Sequence, residues 1–129
     1  MKYLGIDYGS RRIGIAVSDD GGRVAFPKET LENLGLLKLV EVVCGIIDKE
    51  AISELVIGHS ANLKGQDNPV MREIRQFIES LKRKKEIELH LEPEFMTSIQ
   101  ATRVTGRDKN IDAQAAAIIL QSFLDKKNN

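Results

Sequence analysis

The chain has 129 residues, 42% of them hydrophobic and 29% charged, with 19 Lys and Arg balanced by 19 Asp and Glu. That length predicts one domain over residues 1–129, large enough to bury about two-thirds of the surface its unfolded chain exposes. A single cysteine excludes an intramolecular disulfide and a Cys-rich zinc site, and zero net charge removes any argument for a nucleic-acid partner from the global field. No apolar run approaches the ~18 residues of a membrane span, and the start lacks the basic and apolar stretches of a secretory signal. A reduced, cytoplasmic setting with no membrane partner is expected.

Residues 2–7 (Lys-Tyr-Leu-Gly-Ile-Asp) predict a short strand, followed by a turn at Tyr8-Gly9-Ser10. Ile13 to Ser18 alternates as a second strand, with Ile13, Ile15 and Val17 on one face. Asp19-Asp20-Gly21-Gly22 is a turn cluster, and Arg23 to Phe26 predicts a third strand ended by Pro27. Three strands joined by tight turns make an antiparallel meander. Residues 34–49 carry a wide apolar stripe (Leu36, Leu37, Leu39, Val40, Val42, Val43, Ile46, Ile47), which predicts a deeply buried helix. Ser53 to Gly58 predicts a strand. Asn68-Pro69 reads as an N-cap and first helical position, opening a helix with Val70, Ile74, Phe77, Ile78 and Leu81 on one face. That helix breaks at Lys82-Arg83-Lys84-Lys85, a basic end stabilised by the helix dipole and assigned no function. Ile87 to Leu91 predicts another strand, with Leu89 and Leu91 on its buried face. Thr97 and Gln100 match a capping box for a short helix reaching Gly106, and Asp112 opens a last helix through Leu124. A hairpin meander followed by alternating helix and strand predicts an α/β fold, a mixed sheet with helices on its faces.

Three acidic residues could carry chemistry. Asp7 ends an apolar strand before a glycine turn, although a turn-initiating Asp explains it equally well. Glu94 follows Pro93, which ends the preceding strand; Glu92 and Glu94 would share a face, and a solvated acidic strand end is the plainer explanation. Asp112 is a natural N-cap, but the run Ala113-Gln114-Ala115-Ala116-Ala117 predicts a helix start packed closely on something. If the three converge, their oxygens suit a hard cation such as Mg²⁺, and two such ions can activate water for phosphodiester cleavage. Around them, Arg11 and Arg12 in the first turn, and Arg103, Arg107 and Lys109 before Asp112, could neutralise phosphates, though loop cations are usually only solvated. The polar segment Gly58 to Gly65 follows a strand at the edge where α/β sheets place ligands, without the spacing of a phosphate-binding Walker loop. His59 and His90 read as structural, and Cys44 as an inert core residue.

The segment Leu4-Gly5-Ile6-Asp7-Tyr8-Gly9-Ser10-Arg11-Arg12-Ile13-Gly14-Ile15-Ala16-Val17-Ser18-Asp19 resembles the opening of the YqgF/RuvX family. Val56-Ile57-Gly58 with Asn62 and Gly65 is similar to that family's strand-plus-loop segment. Glu94 with Thr97 resembles its second acidic motif, and Ile111-Asp112-Ala113 through Ile119-Leu120-Gln121 its last helix. Two places depart from the family pattern. Pro93-Glu94-Phe95 stands where Asp-Glu-Arg is common, and His59-Ser60-Ala61 replaces an apolar-Pro pair.

The resemblance implies an RNase H-like fold, a five-stranded mixed sheet in which a three-stranded antiparallel meander is joined by two parallel strands. It implies Asp7, Glu94 and Asp112 as the catalytic set holding Mg²⁺ or Mn²⁺. It also implies nuclease activity in 5′-end maturation of pre-16S rRNA, or resolution of Holliday junctions in branched DNA. Structured RNA is the expected substrate, contacted by Arg11, Arg12, Asn62, Arg103, Arg107 and Lys109, with Phe95 available to stack on an unpaired base. The expected state is a monomer or weak homodimer, a symmetric dimer being favoured by a junction with two strands to cut. A third reading is a non-catalytic RNA- or ribosome-binding module, motivated by the changes at Phe95 and Ser60. An actin-like ATPase half also opens with Gly-Ile-Asp-x-Gly, but the chain is too short for the two lobes that enclose a nucleotide.

Overall fold

The computed structural model describes residues 1–59, 69–93 and 110–129. These form β1 (Tyr3–Tyr8), β2 (Arg12–Ser18), β3 (Ala25–Glu32), α1 (Leu36–Glu50), β4 (Glu54–His59), α2 (Val70–Lys84), β5 (Glu88–Pro93) and α3 (Asn110–Asn128). The strands build one five-stranded sheet in the order β3-β2-β1-β4-β5. β1–β2 and β2–β3 pair antiparallel, while β1–β4 and β4–β5 pair parallel. The meander plus two parallel strands expected from the sequence is the architecture found.

The period of two along β1 sends Leu4, Ile6 and Tyr8 to one face and Tyr3, Gly5 and Asp7 to the other. The first face joins Ile13, Ile15, Leu55 and Ile57 in the larger core, under Leu39, Val40 and Val43 of α1 and Met71, Ile74, Phe77 and Leu81 of α2. The second face is covered by α3, whose Ala116, Ile119, Leu120 and Leu124 pack on Tyr3, Ala16 and Val56. Small residues are set into this face beside Tyr3 and Val56. A Cβ added at Gly5 would lie 2.8 Å from Leu120 Cβ, so α3 rests almost on the strand backbone. Among the described residues, no helix is long and apolar enough to cross a membrane.

Several expectations shift. β3 does not stop at Pro27 but runs from Ala25 to Glu32. It is an edge strand, where a missing N–H can be tolerated, and the ladder is irregular there: Ala16 faces Pro27 while Ile15 faces Glu29. β5 likewise continues to Pro93 at the opposite edge, paired with His59. The stripe on α1 is narrower than expected, with Leu37 exposed. α2 starts at Val70, directly after Pro69. The expected cap Asn68 and the short helix over 97–106 lie outside the described residues. α3 begins at Asn110, so Asp112 sits inside its first turn and is not the N-cap. The polarity of β5 is reversed at its end: Leu91 is 44% exposed, while Glu92 is 3% exposed. Glu92 faces α3, which offers it two donors, so the solvated strand end expected from the sequence is a buried and bonded carboxylate.

Candidate active site

Asp7 occupies the last turn of the pleat before β1 ends, and its ladder partner on β2 is Gly14. Residues directly opposite in an antiparallel pair have Cα atoms roughly 4.5–5.5 Å apart and side chains on the same face. Gly14 has no side chain to fill that face, and the first turn of α3 fills it instead. A Cβ built at Gly14 would fall 1.9 Å from the Asp112 carbonyl oxygen and 3.1 Å from the Ala113 nitrogen. The Asp112 backbone therefore rests on the strand next to Asp7, in the row Asp7 occupies. Asp7 is 3% and Asp112 4% exposed. Burying two carboxylates side by side is unfavourable unless positive charge accompanies them. Arg12 supplies some of it: its Nε lies 3.0 Å from Asp112 Oδ2, while 36% of its side chain stays exposed. A guanidinium has five N–H donors, so this ion pair leaves capacity for a further oxyanion.

The turn between Asp7 and Arg12 is held from two sides. Ser10 Oγ donates to Glu73 Oε2 at 2.8 Å, and the Tyr8 hydroxyl donates to Glu73 Oε1 at 3.4 Å. Asn33 Nδ2 donates to the Gly9 carbonyl at 3.1 Å and to the Tyr8 hydroxyl oxygen at 3.3 Å. The Asn33 backbone N–H donates to the Arg11 carbonyl at 2.8 Å. Burial is the main cause that raises the Tyr8 pKa; the Asn33 bond opposes it, and the charge and hydrogen bond of Glu73 add to it. The first turn of α2 and the segment after β3 thus fix the turn that carries Arg11 and Arg12.

The parallel strands extend the row. Ile6 faces Ile57, Ile57 faces Leu91, and Gly58 faces Glu92. One residue beyond Ile6, Asp7 therefore falls level with Gly58 and Glu92 on the face covered by α3. Glu92 Oε2 accepts from Ser122 Oγ at 2.8 Å and from Lys126 Nζ at 2.6 Å, both on α3.

Of the residues singled out in the sequence, the structure brings Asp7, Arg12 and Asp112 together and leaves Arg11 exposed on the adjoining turn. Glu94, Asn62, Phe95, Arg103, Arg107 and Lys109 lie outside the described residues. Sequence reasoning missed Glu73 and Asn33, which carry no local signal, because their partners are distant in the chain. It also left His90 without a partner. His90 Nε2 lies 2.7 Å from Glu54 Oε1, and its ring packs on Phe123 with centroids 4.7 Å apart. With Glu88 these residues place three donor atoms within 4.8 Å of one another. That cluster is remote from Asp7, since Glu54 faces Tyr3, four residues earlier on β1, or about 13 Å along a strand.

The fold has solved counterparts. It superposes on Thermus thermophilus RuvC in complex with a Holliday junction substrate with a TM-score of 0.66, over 100% of this chain and 96% of that one, at 12% identity. The fowlpox virus resolvase bound to Holliday junction DNA gives 0.64 over 100% of both chains at 10% identity. The fold is thus the RNase H-like fold of RuvC-type resolvases. At the level of sequence, the family described as RuvX, Holliday junction resolvase, matches residues 1–126, and the chain belongs to that family. Relatives named "Putative pre-16S rRNA nuclease" include one from Nitratidesulfovibrio vulgaris, 37% identical over 97% of this chain and 94% of its own length. Another, from Lawsonia intracellularis, is 38% identical over 100% of this chain and 96% of its own length.

Proposed function

We propose that the protein is a nuclease dependent on a divalent cation, hydrolysing phosphodiester bonds in structured RNA, with the 5′ end of pre-16S rRNA as its substrate. The observation that carries this reading is the pair of buried carboxylates, Asp7 on β1 and Asp112 in the first turn of α3, brought together where the α3 backbone lies on Gly14, the ladder partner of Asp7. Carboxylate oxygens are the donors that Mg²⁺ or Mn²⁺ prefers, so the set fits such an ion, with Glu94 as the third carboxylate supplied by the family's second motif. When bound, the cation adds positive charge where negative charge develops on the phosphate. Arg12 holds Asp112 in place and keeps donors for a phosphate oxygen, and Arg11 adds a second cation on the exposed side of the turn. The names of the full-length relatives support an rRNA precursor as the substrate.

The same chemistry would serve a four-way DNA junction, and the family description together with the two resolvase structures favours that as the second reading. The deciding experiment offers purified protein a pre-16S rRNA fragment, a four-way DNA junction and single strands, with Mg²⁺, Mn²⁺ or chelator. We expect cation-dependent cleavage of the rRNA fragment, its loss in Asp7→Asn, and stability in that variant equal to or above wild type. Cleavage of the junction alone would transfer the assignment to DNA. Binding of RNA with no cleavage under any cation would leave a ribosome-biogenesis binding module.

A further inference from the structure

From its bonds to α3, we infer that Glu92 is a positioning residue of the active site: it fastens β5 to α3 and thereby fixes where α3 presents Asp112 to Asp7. This inference rests on the nuclease reading above. Glu92 is a carboxylate with 3% exposure on an edge strand, a place where a Glu is normally solvated. Its Oε2 takes both Ser122 Oγ and Lys126 Nζ, residues one helical turn apart on α3. Lys126 keeps 61% of its side chain in solvent, so the pair is anchored at the acid end and not at the lysine.

The mechanical consequence follows from where else α3 is held. At its start it lies on Gly14, and at Ala116 and Leu120, midway along, on Gly5. On the β3 side Gln121 Nε2 donates to the Arg23 carbonyl, and the Ala25 N–H donates to Gln121 Oε1 at 2.9 Å. Glu92 supplies the matching polar hold on the β5 side, beside the ring contact of His90 with Phe123. Two holds on opposite sides of a helix stop it from rolling about its own axis. Roll is resisted least at the first turn, where α3 lies on Gly14, a residue with no side chain to interlock. Asp112 lies in the first turn of this helix, so a roll swings its carboxylate relative to Asp7 and Arg12. Glu92 also shares the row of Asp7, with the side-chain-free Gly58 between them, so the acid that fastens the helix is level with the acid that uses it.

The test compares Glu92→Ala, Glu92→Gln, the single reversals Glu92→Lys and Lys126→Glu, and the charge-reversed pair that combines them. Three readings are taken: single-turnover cleavage with saturating Mg²⁺, Mn²⁺ affinity by electron paramagnetic resonance, and amide exchange over residues 111–116. We expect Glu92→Ala to lower the cleavage rate about 10–100-fold, the scale of a misplacement near 1 Å, with the enzyme concentration giving half the maximal single-turnover rate within about twofold. Mn²⁺ affinity should fall several-fold and exchange over 111–116 should accelerate about tenfold, on the order of 1.4 kcal/mol of lost protection by the standard conversion. Glu92→Gln, which keeps an acceptor for Ser122, should lose less, and the charge-reversed pair should recover part of the loss of either single reversal. A Glu92→Ala protein with wild-type rate, Mn²⁺ affinity and exchange over 111–116 overturns the inference. So does one that only melts earlier, with the first two unchanged per folded molecule. If the wild type neither cleaves nor binds Mn²⁺, the nuclease reading fails by itself. Exchange over 111–116 then decides the positioning role: acceleration in Glu92→Ala supports it, and unchanged exchange overturns it.

Discussion

Gly14→Ala is the sharpest perturbation the structure offers, because it adds a single methyl group and removes nothing. That methyl would lie 1.9 Å from the Asp112 carbonyl oxygen, 2.4 Å from its carbonyl carbon and 3.1 Å from the Ala113 nitrogen. Carbon–oxygen contacts settle at about 3.3–3.6 Å, so α3 must lift by roughly 1.4 Å or more at its first turn. The opposing atoms are backbone, and no side-chain rotation relieves the clash. Overpacking of this kind costs about 1–3 kcal/mol, which for a chain of this size lowers Tm by roughly 4–12 °C. The lift moves Asp112 away from Asp7 and Arg12 by more than 1 Å, so cleavage should fall about 100-fold or more. Gly45→Ala is the internal control: it lies within α1 with nothing within 4 Å of an added Cβ. Alanine in that helix should leave cleavage unchanged and raise stability by about 0.5–1 kcal/mol. Thermal melts and single-turnover cleavage of a pre-16S rRNA fragment read both effects. A Gly14→Ala protein that melts and cleaves as wild type would refute the close seating of α3 on β2, and with it the pairing of Asp7 and Asp112.

The turn and its supports give two further outcomes. Asn33→Ala removes the donor to the Gly9 carbonyl and the Tyr8 oxygen, and the acceptor of the Gly35 N–H. It should cost about 1–2 kcal/mol in chemical denaturation and slow cleavage several-fold, by loosening the turn before Arg12; unchanged cleavage would show that Asn33 serves stability alone. Tyr8 has its pKa raised by burial, so the fold favours the neutral phenol. Its contribution to stability is fully present below the unfolded pKa of about 10 and is lost as pH rises through the raised folded value. The difference between alkaline absorbance titrations of wild type and Tyr8→Phe should reveal a phenolate step above pH 10, and a step at or below 10 would contradict the buried placement.

How much of this was legible before the structure depends on the range of the interaction. The meander was legible because its cues are local: Ile13, Ile15 and Val17 alternate, and Asp19-Asp20-Gly21-Gly22 turns the chain. The end of β3 was not, because Pro27 stops an interior strand but is tolerated on the outer side of an edge strand, and edge status is a property of the assembled sheet. Glu92 was misjudged for a related reason. Alternation puts it opposite Leu91, and hydropathy alone assigns the buried face to leucine. The assignment reverses because α3 brings Ser122 and Lys126 from thirty and thirty-four residues away. A buried carboxylate with two donors is favourable where an unpaired one is not, and the donors cannot be read from the strand.

The site was legible as residue types but not as geometry. Asp7 and Asp112 each have an ordinary explanation in sequence, a turn former and a cap, and the second is excluded only by where α3 begins. What joins them is the difference between the two faces of one sheet. The face under α1 and α2 is lined with Leu4, Ile6, Ile13, Ile15, Leu55 and Ile57, side chains large enough to keep the helices at ordinary packing distance while burying much apolar area. The opposite face keeps Tyr3 and Val56 in its core but sets Gly5, Gly14, Ala16 and Gly58 beside them, which give up apolar burial. A sheet optimised for stability alone would not make that exchange. A site that must bring a helix backbone against the strand beside Asp7 requires it, since any Cβ at position 14 occupies the space taken by Asp112. The glycines set into the α3 face, Gly14 above all, are therefore what bring two distant acids together, and their placement can be interpreted only once the register pairs Asp7 with Gly14.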